Sequence, residues 1–137
     1  MIQKIREGNY KFILANFANA DMVGHTGNLQ SAIQAVKVID DCFGQIMKAA
    51  LENDYALLIT ADHGNVEEMI DPKTGGVSTE HSGNPVPFIA IANQFKGVSR
   101  TLQSGLLADV APTILKLLGI AKPQNMTGRD LLEEIAK

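Results

Sequence analysis

A single cysteine, Cys42, stands among 137 residues, so no disulfide can form within the chain. It lies beside Phe43 on the apolar side of an expected helix, which marks it as a buried, inert thiol. That usage fits a reducing cytosol, and a cytoplasmic protein is expected. Long apolar runs are also missing: no uncharged stretch approaches the ~18 residues of a membrane span. Arginine is sparse, with Arg6, Arg100 and Arg129 scattered rather than clustered. No basic patch and no basic amphipathic helix occur, so neither a nucleic acid nor a membrane surface is an expected partner. Repeats, low-complexity tracts and linkers are absent too. What remains is an ordinary soluble composition, 45% apolar and 20% charged with a net charge of −3. The length suits one domain, able to bury roughly two-thirds of its unfolded surface.

The N-terminus loosely mimics a secretory leader. Lys4, Arg6 and Lys11 precede Phe12-Ile13-Leu14 and an Ala18-Asn19-Ala20 triplet. Glu7 within the charged part and Asn16 within the apolar run argue against that reading, and secretion is not expected.

Three short, near-continuous apolar runs read as buried strands: Phe12–Phe17, Tyr55–Thr60 and Phe88–Ala92. Between the first two, Leu29, Ile33, Val36, Ile39, Phe43, Ile46 and Ala50 recur at helical spacing, with Asn28 as the expected N-cap. A second helix is expected from Asp109, as its cap, through Pro112 in the first turn to Gly119. Thr127 and Asp130 have the spacing of a capping box for a last helix ending near Ala136. This order predicts an α/β fold, a layered domain with a largely parallel sheet flanked by helices. The long segment from Asp62 to Pro87 has no periodicity, and such segments in compact domains are commonly functional.

All three histidines stand beside carboxylates just after expected strands. They are His25 after Asp21, His63 after Asp62, and His81 after Glu80. In open α/β sheets, ligands gather beyond the carboxyl ends of the strands. Asp21 and His25, four apart, face the same way in a helical turn and can share one ion. Asp62 and His63, adjacent on an extended strand end, either meet two different ions or wrap one through a sharp turn. Gly64 would permit close backbone approach there. Each pair alone is weak, since Asp62 would also serve as a helix cap and His81 as a loop residue. Jointly they favour metal binding. Imidazole and carboxylate without thiolate suit Zn²⁺ or Mn²⁺, and the Irving–Williams order alone favours Zn²⁺. Asn65 and Glu80 flank these residues as candidate supports. Asp40, Asp41, Glu67 and Glu68 read as solvated charges, and Ser82, with no oriented base beside it, as an ordinary loop serine.

The stretch Asn19-Ala20-Asp21-Met22-Val23-Gly24-His25-Thr26-Gly27 resembles the D-M-V-G-H-T-G segment of the cofactor-independent phosphoglycerate mutases. Ala61-Asp62-His63-Gly64-Asn65 with Glu67 resembles their A-D-H-G-N segment, and His81 with Asn84-Pro85-Val86-Pro87-Phe88 their final ligand motif. Leu107 to Thr113 and Met126-Thr127-Gly128 resemble the closing part. A-D-H-G is shared with the wider alkaline phosphatase superfamily, whereas D-M-V-G-H-T-G is similar to the mutases specifically. The resemblance implies an alkaline-phosphatase-like domain that holds two Mn²⁺ ions in the intact enzyme and isomerises 3-phosphoglycerate and 2-phosphoglycerate in glycolysis through a phosphoserine. By motif, Asp21, His25 and His81 would hold one metal, and Asp62 and His63 would contribute to the other. Ser82 replaces the family's usual threonine and keeps the hydroxyl.

The family's N-terminal metal-binding Asp, its Asn-Ser-Glu nucleophile motif and its substrate domain have no counterpart in these residues. Nor is there an arginine cluster to clamp a phosphate and a carboxylate. The chain is therefore expected to be the C-terminal portion, residues 1–137, of the metal-binding domain. It supplies metal ligands but no catalytic nucleophile, and self-associates through an open sheet edge. Two alternatives stand beside this: another superfamily member (a phosphatase, phosphodiesterase or phosphopentomutase), or a non-catalytic metal-binding domain.

Overall fold

The computed structural model describes residues 1–97 and 101–133. It divides into two compact units, Met1–Ile91 and Ala92–Lys137. The first begins with a short helix α1, Ile2–Glu7, that apolar periodicity does not announce, closed by Gly8. Helix α2 follows at Asn19–Gly24, then α3 at Leu29–Glu52. At 24 residues, α3 is about 36 Å long and forms the spine of the unit. Its start is fixed as expected: the Asn28 side chain accepts from the Ser31 backbone N–H at 2.9 Å.

The core lies where α1 and the segment before α2 meet α3. Ile5, Ile46 and Ala49 are buried, with Ile2, Ile13, Phe17, Phe43, Tyr55 and Leu57 packed around them. Phe17 meets Phe43 edge-on, with ring centroids 5.3 Å apart. Of the expected apolar face of α3, Ile46 and Ala50 are buried, but Leu29, Ile33 and Val36 are exposed. In the N-terminal half Ala32 is the buried residue, so the covered face there is not the one the expected stripe describes. Asp40 and Asp41 are solvent-exposed, as their mid-helix positions suggest.

Strands β1, Leu57–Thr60, and β2, Phe88–Ile91, occupy two of the three expected sites. They pair antiparallel, Leu57 opposite Ile91 and Thr60 opposite Phe88. The α/β class holds, but the sheet among the described residues is this one antiparallel pair, not the expected parallel arrangement. The chain between the strands doubles back on itself, as the bridges Gly64–Ser82 and Ile70–Val77 show, so the strands return side by side like the stem of a long hairpin. The third expected strand, Phe12–Phe17, has no regular secondary structure and takes no part in a sheet among the described residues. Ile13 and Phe17 anchor it on the core, while Phe12 and Leu14 are exposed, Leu14 at 81%.

In the second unit, α4 spans Val110–Leu117 with Pro112 in its first turn. It ends in a paired-bond cap: Gly119 N–H donates to Lys116 O at 3.1 Å and Ile120 N–H to Leu115 O at 2.9 Å. Asp109 is the N-cap of α4, as expected, but its side chain makes no capping bond to that helix. Asp109 closes a 3₁₀ turn, Leu107–Asp109, and its carboxylate accepts from Leu106 N–H at 2.7 Å and Arg129 N–H at 2.8 Å. Those two bonds, Leu106's first, hold its carboxyl below the usual range. The two sequence segments Leu107–Thr113 and Met126–Gly128 are thus joined by one buried carboxylate. Thr113 completes the join, donating to Asp109 O at 2.8 Å and accepting from Leu131 N–H at 2.9 Å. Asp130 accepts from Leu132 N–H at 2.9 Å within a turn, and the end of the expected last helix lies outside the described residues.

Thr113 has 0% of its surface exposed. Replacing it by Val keeps the shape but removes the acceptor of the part-buried Leu131 N–H, so Thr113→Val is expected to cost about 1–3 kcal/mol. Denaturant unfolding of the two forms measures it, and an unchanged midpoint would refute this account of the join.

Candidate metal centre

The centre is built from two limbs. Helix α2 supplies Asp21 and, at its C-cap, His25, where the i,i+4 spacing puts both side chains on one face. The long connection between β1 and β2 supplies His63, Asn65, Thr79 and His81. Asp21, His25 and His81 converge. His25 Nε2 lies 3.3 Å and His81 Nε2 3.2 Å from Asp21 Oδ1, and the two nitrogens are 3.2 Å apart. Among the described residues, these three form the one cluster with the spacing of a metal site.

The donor set fits a cation. His25 Nδ1 sits 2.7 Å from the Thr79 carbonyl, a contact that requires an N–H, so the neutral ring presents its Nε2 lone pair to the cluster. With the His81 proton also on Nδ1, three acceptor atoms would face one another, an arrangement that a cation between them relieves. A tetrahedral ion with ligands at ~2.0–2.1 Å needs edges of about 3.3–3.4 Å, close to the triangle observed.

Asn65 fixes the carboxylate. It is buried, 7% exposed, and its Nδ2 donates to Asp21 Oδ1 at 2.8 Å. That bond first, and then the His25, His81 and His63 rings, hold the Asp21 carboxyl below its usual range. Gly24 explains itself here: a Cβ at that position would overlap the Asn65 side-chain oxygen. The glycine between the two ligand positions of Asp21-Met22-Val23-Gly24-His25 is therefore the seat of the supporting amide.

Asp62 and His63 stay outside this cluster. Asp62 is fully turned to solvent, its side chain 89% exposed, with Oδ2 3.7 Å from His63 Nε2. The two do not diverge as an ideal strand end would make them. His63 stacks on His81, ring centroids 3.8 Å apart, so it borders the cluster through its face. Glu80 is exposed.

Glu67, expected as a surface charge, proves to be a partnered one. Its carboxylate accepts from Asn65 N–H at 2.7 Å, from the Ser82 hydroxyl and from Asn84 Nδ2 at 3.1 Å. Glu68 also accepts from Asn84 Nδ2, at 3.0 Å. The sequence holds one signal for this: a carboxylate two residues after Asn65 can reach back to its backbone N–H. Its partners on the other limb, 15 and 17 residues on, have none. Gly64 is required at the crossing, because a Cβ there would overlap both Ser82 Oγ and Glu67 Oε1.

The Ser82 bond first, with those of Asn84 and Asn65, holds the Glu67 carboxyl at about 2, against an ordinary 4.5. A depressed folded value means the contribution to order is complete above about 4.5 and is lost as pH falls toward about 2. Protection of the Asn65 and Asn84 amides relative to their intrinsic exchange rates is expected to fall through that window in the native chain and to be flat in Glu67→Gln. Equal acid profiles would refute the assignment.

The fold and this cluster define a class. The model of the metalloenzyme superfamily matches residues 1–122, and the chain belongs to that superfamily. Together with the triad, membership points to a divalent metal ion. The chain is 52% identical over 132 residues to 2,3-bisphosphoglycerate-independent phosphoglycerate mutase 2 of Methanosarcina barkeri, covering 96% of this chain and 25% of that protein. It is 45% identical over 133 residues to the 2,3-bisphosphoglycerate-independent phosphoglycerate mutase of Clostridioides difficile, covering 97% and 26%. The crystal structure of Leishmania mexicana phosphoglycerate mutase at low cobalt concentration superposes with a TM-score of 0.79 at 30% identity, over 93% of this chain and 26% of that one. The chain thus spans about a quarter of the length of these relatives. Among the described residues, no helix is long and apolar enough to cross a membrane.

Proposed function

We propose that this chain is the C-terminal portion of the metal-binding domain of a cofactor-independent phosphoglycerate mutase, a cytoplasmic glycolytic isomerase of 3-phosphoglycerate and 2-phosphoglycerate. The observation that carries the reading is the triangle of Asp21, His25 and His81, in a sequence about half identical to mutases so named. Asp21, His25 and His81 are the ligands of one ion, Mn²⁺ in this proposal and Zn²⁺ as the alternative. Asp62 and His63 contribute to a second ion, with their remaining partners supplied from outside these residues. A bound divalent ion would neutralise phosphoryl oxygens and lower the proton affinity of an attacking hydroxyl. The chain's own residues then have defined tasks. Asn65 orients the Asp21 carboxylate, and the Thr79 carbonyl keeps the proton of His25 on Nδ1, away from the cluster. Ser82 is not the nucleophile in this reading, since the carboxylate that takes its hydroxyl hydrogen is a weak base, held at about 2.

A chimera tests the proposal. This chain replaces the aligned stretch of the Methanosarcina barkeri relative, and conversion of 3-phosphoglycerate is followed with added Mn²⁺. Isomerisation that disappears in His81→Ala supports the reading, whereas phosphate release without 2-phosphoglycerate would replace it with a hydrolase. The exposed Phe12 and Leu14, on a segment outside the sheet of the described residues, support self-association of the chain by itself. Light scattering showing a clean monomer at high concentration would count against that part.

A further inference from the structure

We infer that Glu67 is a positioning residue, a strut whose carboxylate locks the two limbs of the long connection together and so sets the ligand spacing of the metal centre. The inference rests on the proposed metal site and adds a residue to it. The connection leaves β1 through Asp62-His63-Gly64-Asn65 and returns to β2 through His81-Ser82-Gly83-Asn84. Nothing in the ligand triangle itself fixes the distance between these limbs.

Glu67 does so with both carboxylate oxygens. Oε2 takes the Asn65 N–H at 2.7 Å, on the outgoing limb. Oε1 takes the Ser82 hydroxyl and Asn84 Nδ2 at 3.1 Å, on the returning limb. Two of these three partners are one step from the centre. Asn65 donates its own amide to Asp21 at 2.8 Å, and Ser82 directly follows His81. Ser82 N–H also donates to Gly64 O at 3.0 Å, and its Oγ accepts from Asn84 N–H at 3.3 Å. Releasing the carboxylate therefore frees the Asn65 backbone N–H and the Ser82 hydroxyl together and leaves the Ser82 N–H to Gly64 bond as the tie beside His81, which loosens the supports of Asp21 and His81 from opposite sides. A carboxylate suits this place because every partner is a donor, and an anion accepts from all of them at once.

The alternative is that Glu67 merely stiffens the loop. Asp71 supplies the comparison, because it is bound within the tip of the same connection, to Lys73 N–H and Thr74 Oγ1 at 2.8 Å each, and touches no ligand or ligand support. The experiment titrates Co²⁺ into the wild-type chain, Glu67→Ala, Glu67→Gln and Asp71→Ala, reading affinity by calorimetry and coordination by the visible absorption of the bound ion. Glu67→Ala is expected to lose roughly 10- to 100-fold in affinity and to alter the Co²⁺ spectrum, the range typical for groups that orient metal ligands. Glu67→Gln keeps an acceptor of the same shape and is expected to recover part of both. Asp71→Ala is expected to leave affinity and spectrum within about twofold of wild type, by the same argument. A wild-type chain that binds no Co²⁺ overturns the metal site itself. Wild-type binding with Glu67→Ala unchanged, or with Asp71→Ala equally impaired, overturns the strut and leaves the metal site standing. Should Glu67→Ala fail to fold, Glu67→Gln carries the decision: wild-type affinity and spectrum refute the charged strut, and a loss of either supports it.

Discussion

One divalent ion per chain is expected to bind through Asp21, His25 and His81, and His25→Ala is expected to weaken it by more than about a hundredfold. The bound is set by comparison: removing a group that merely orients a ligand costs about 10- to 100-fold, and a direct ligand exceeds that. His25 contributes twice, as the Nε2 facing Asp21 Oδ1 at 3.3 Å and as the ring anchored on Thr79 O at 2.7 Å. An ion at a hundred times its dissociation constant stabilises the folded chain by about 2.7 kcal/mol, so wild-type melting should rise with Mn²⁺ and that of His25→Ala should not. Asp62→Ala is expected to leave this site intact, because the exposed Asp62 carboxylate is not among the three groups that converge. Calorimetry in which His25→Ala binds as tightly as wild type would remove the triad from the proposal.

The chain by itself is expected to show no isomerisation of 3-phosphoglycerate, even with Mn²⁺ saturating. A phosphoryl transfer of this kind is mostly placement and electrostatic stabilisation, and losing one member of a group that acts together costs several orders of magnitude. Within these residues there is no Asn-Ser-Glu segment, and the three arginines are spread from Arg6 to Arg129. The one serine beside a ligand, Ser82, gives its hydroxyl hydrogen to Glu67, a carboxylate with little affinity for a proton. Slow hydrolysis of a simple phosphate ester, dependent on the ion and lost in His25→Ala, is compatible with the site. Turnover of 3-phosphoglycerate to 2-phosphoglycerate at ordinary enzyme rates, abolished by Asp62→Ala, would show a nucleophile within the chain and make Ser82 the first residue to replace.

Features that depend on neighbours along the chain are legible in the residues themselves. Asn28 caps α3 because a short acceptor side chain meets the N–H three residues on. Asp21 and His25 share a face because one helical turn separates them. Gly119 marks the end of α4 because the bonds that close that helix form within a few residues of it. The histidines of the long connection between the strands mark it as a candidate site, and it brings His81 to the cluster with Asp21 and His25.

Tertiary structure decides everything that depends on what lies opposite. The apolar run Phe12–Phe17 has the pattern of a strand, yet a strand also needs a hydrogen-bond ladder with a second segment, and among the described residues the one sheet is β1 with β2. β1 and β2 have the right residues for strands, but their antiparallel pairing follows from a connection that turns back through Gly64 and Ser82, which periodicity within either strand does not encode. Asp109 has the look of a helix cap because Pro112 follows it, and it becomes the tie between residues 106 and 129 because both backbone N–H groups are brought to a buried carboxylate. Glu67 has the look of a solvated charge because glutamate usually is one, and its partners lie far along the chain. A sequence states which donors and acceptors a segment offers; folding alone brings distant ones within the ~3 Å at which they act.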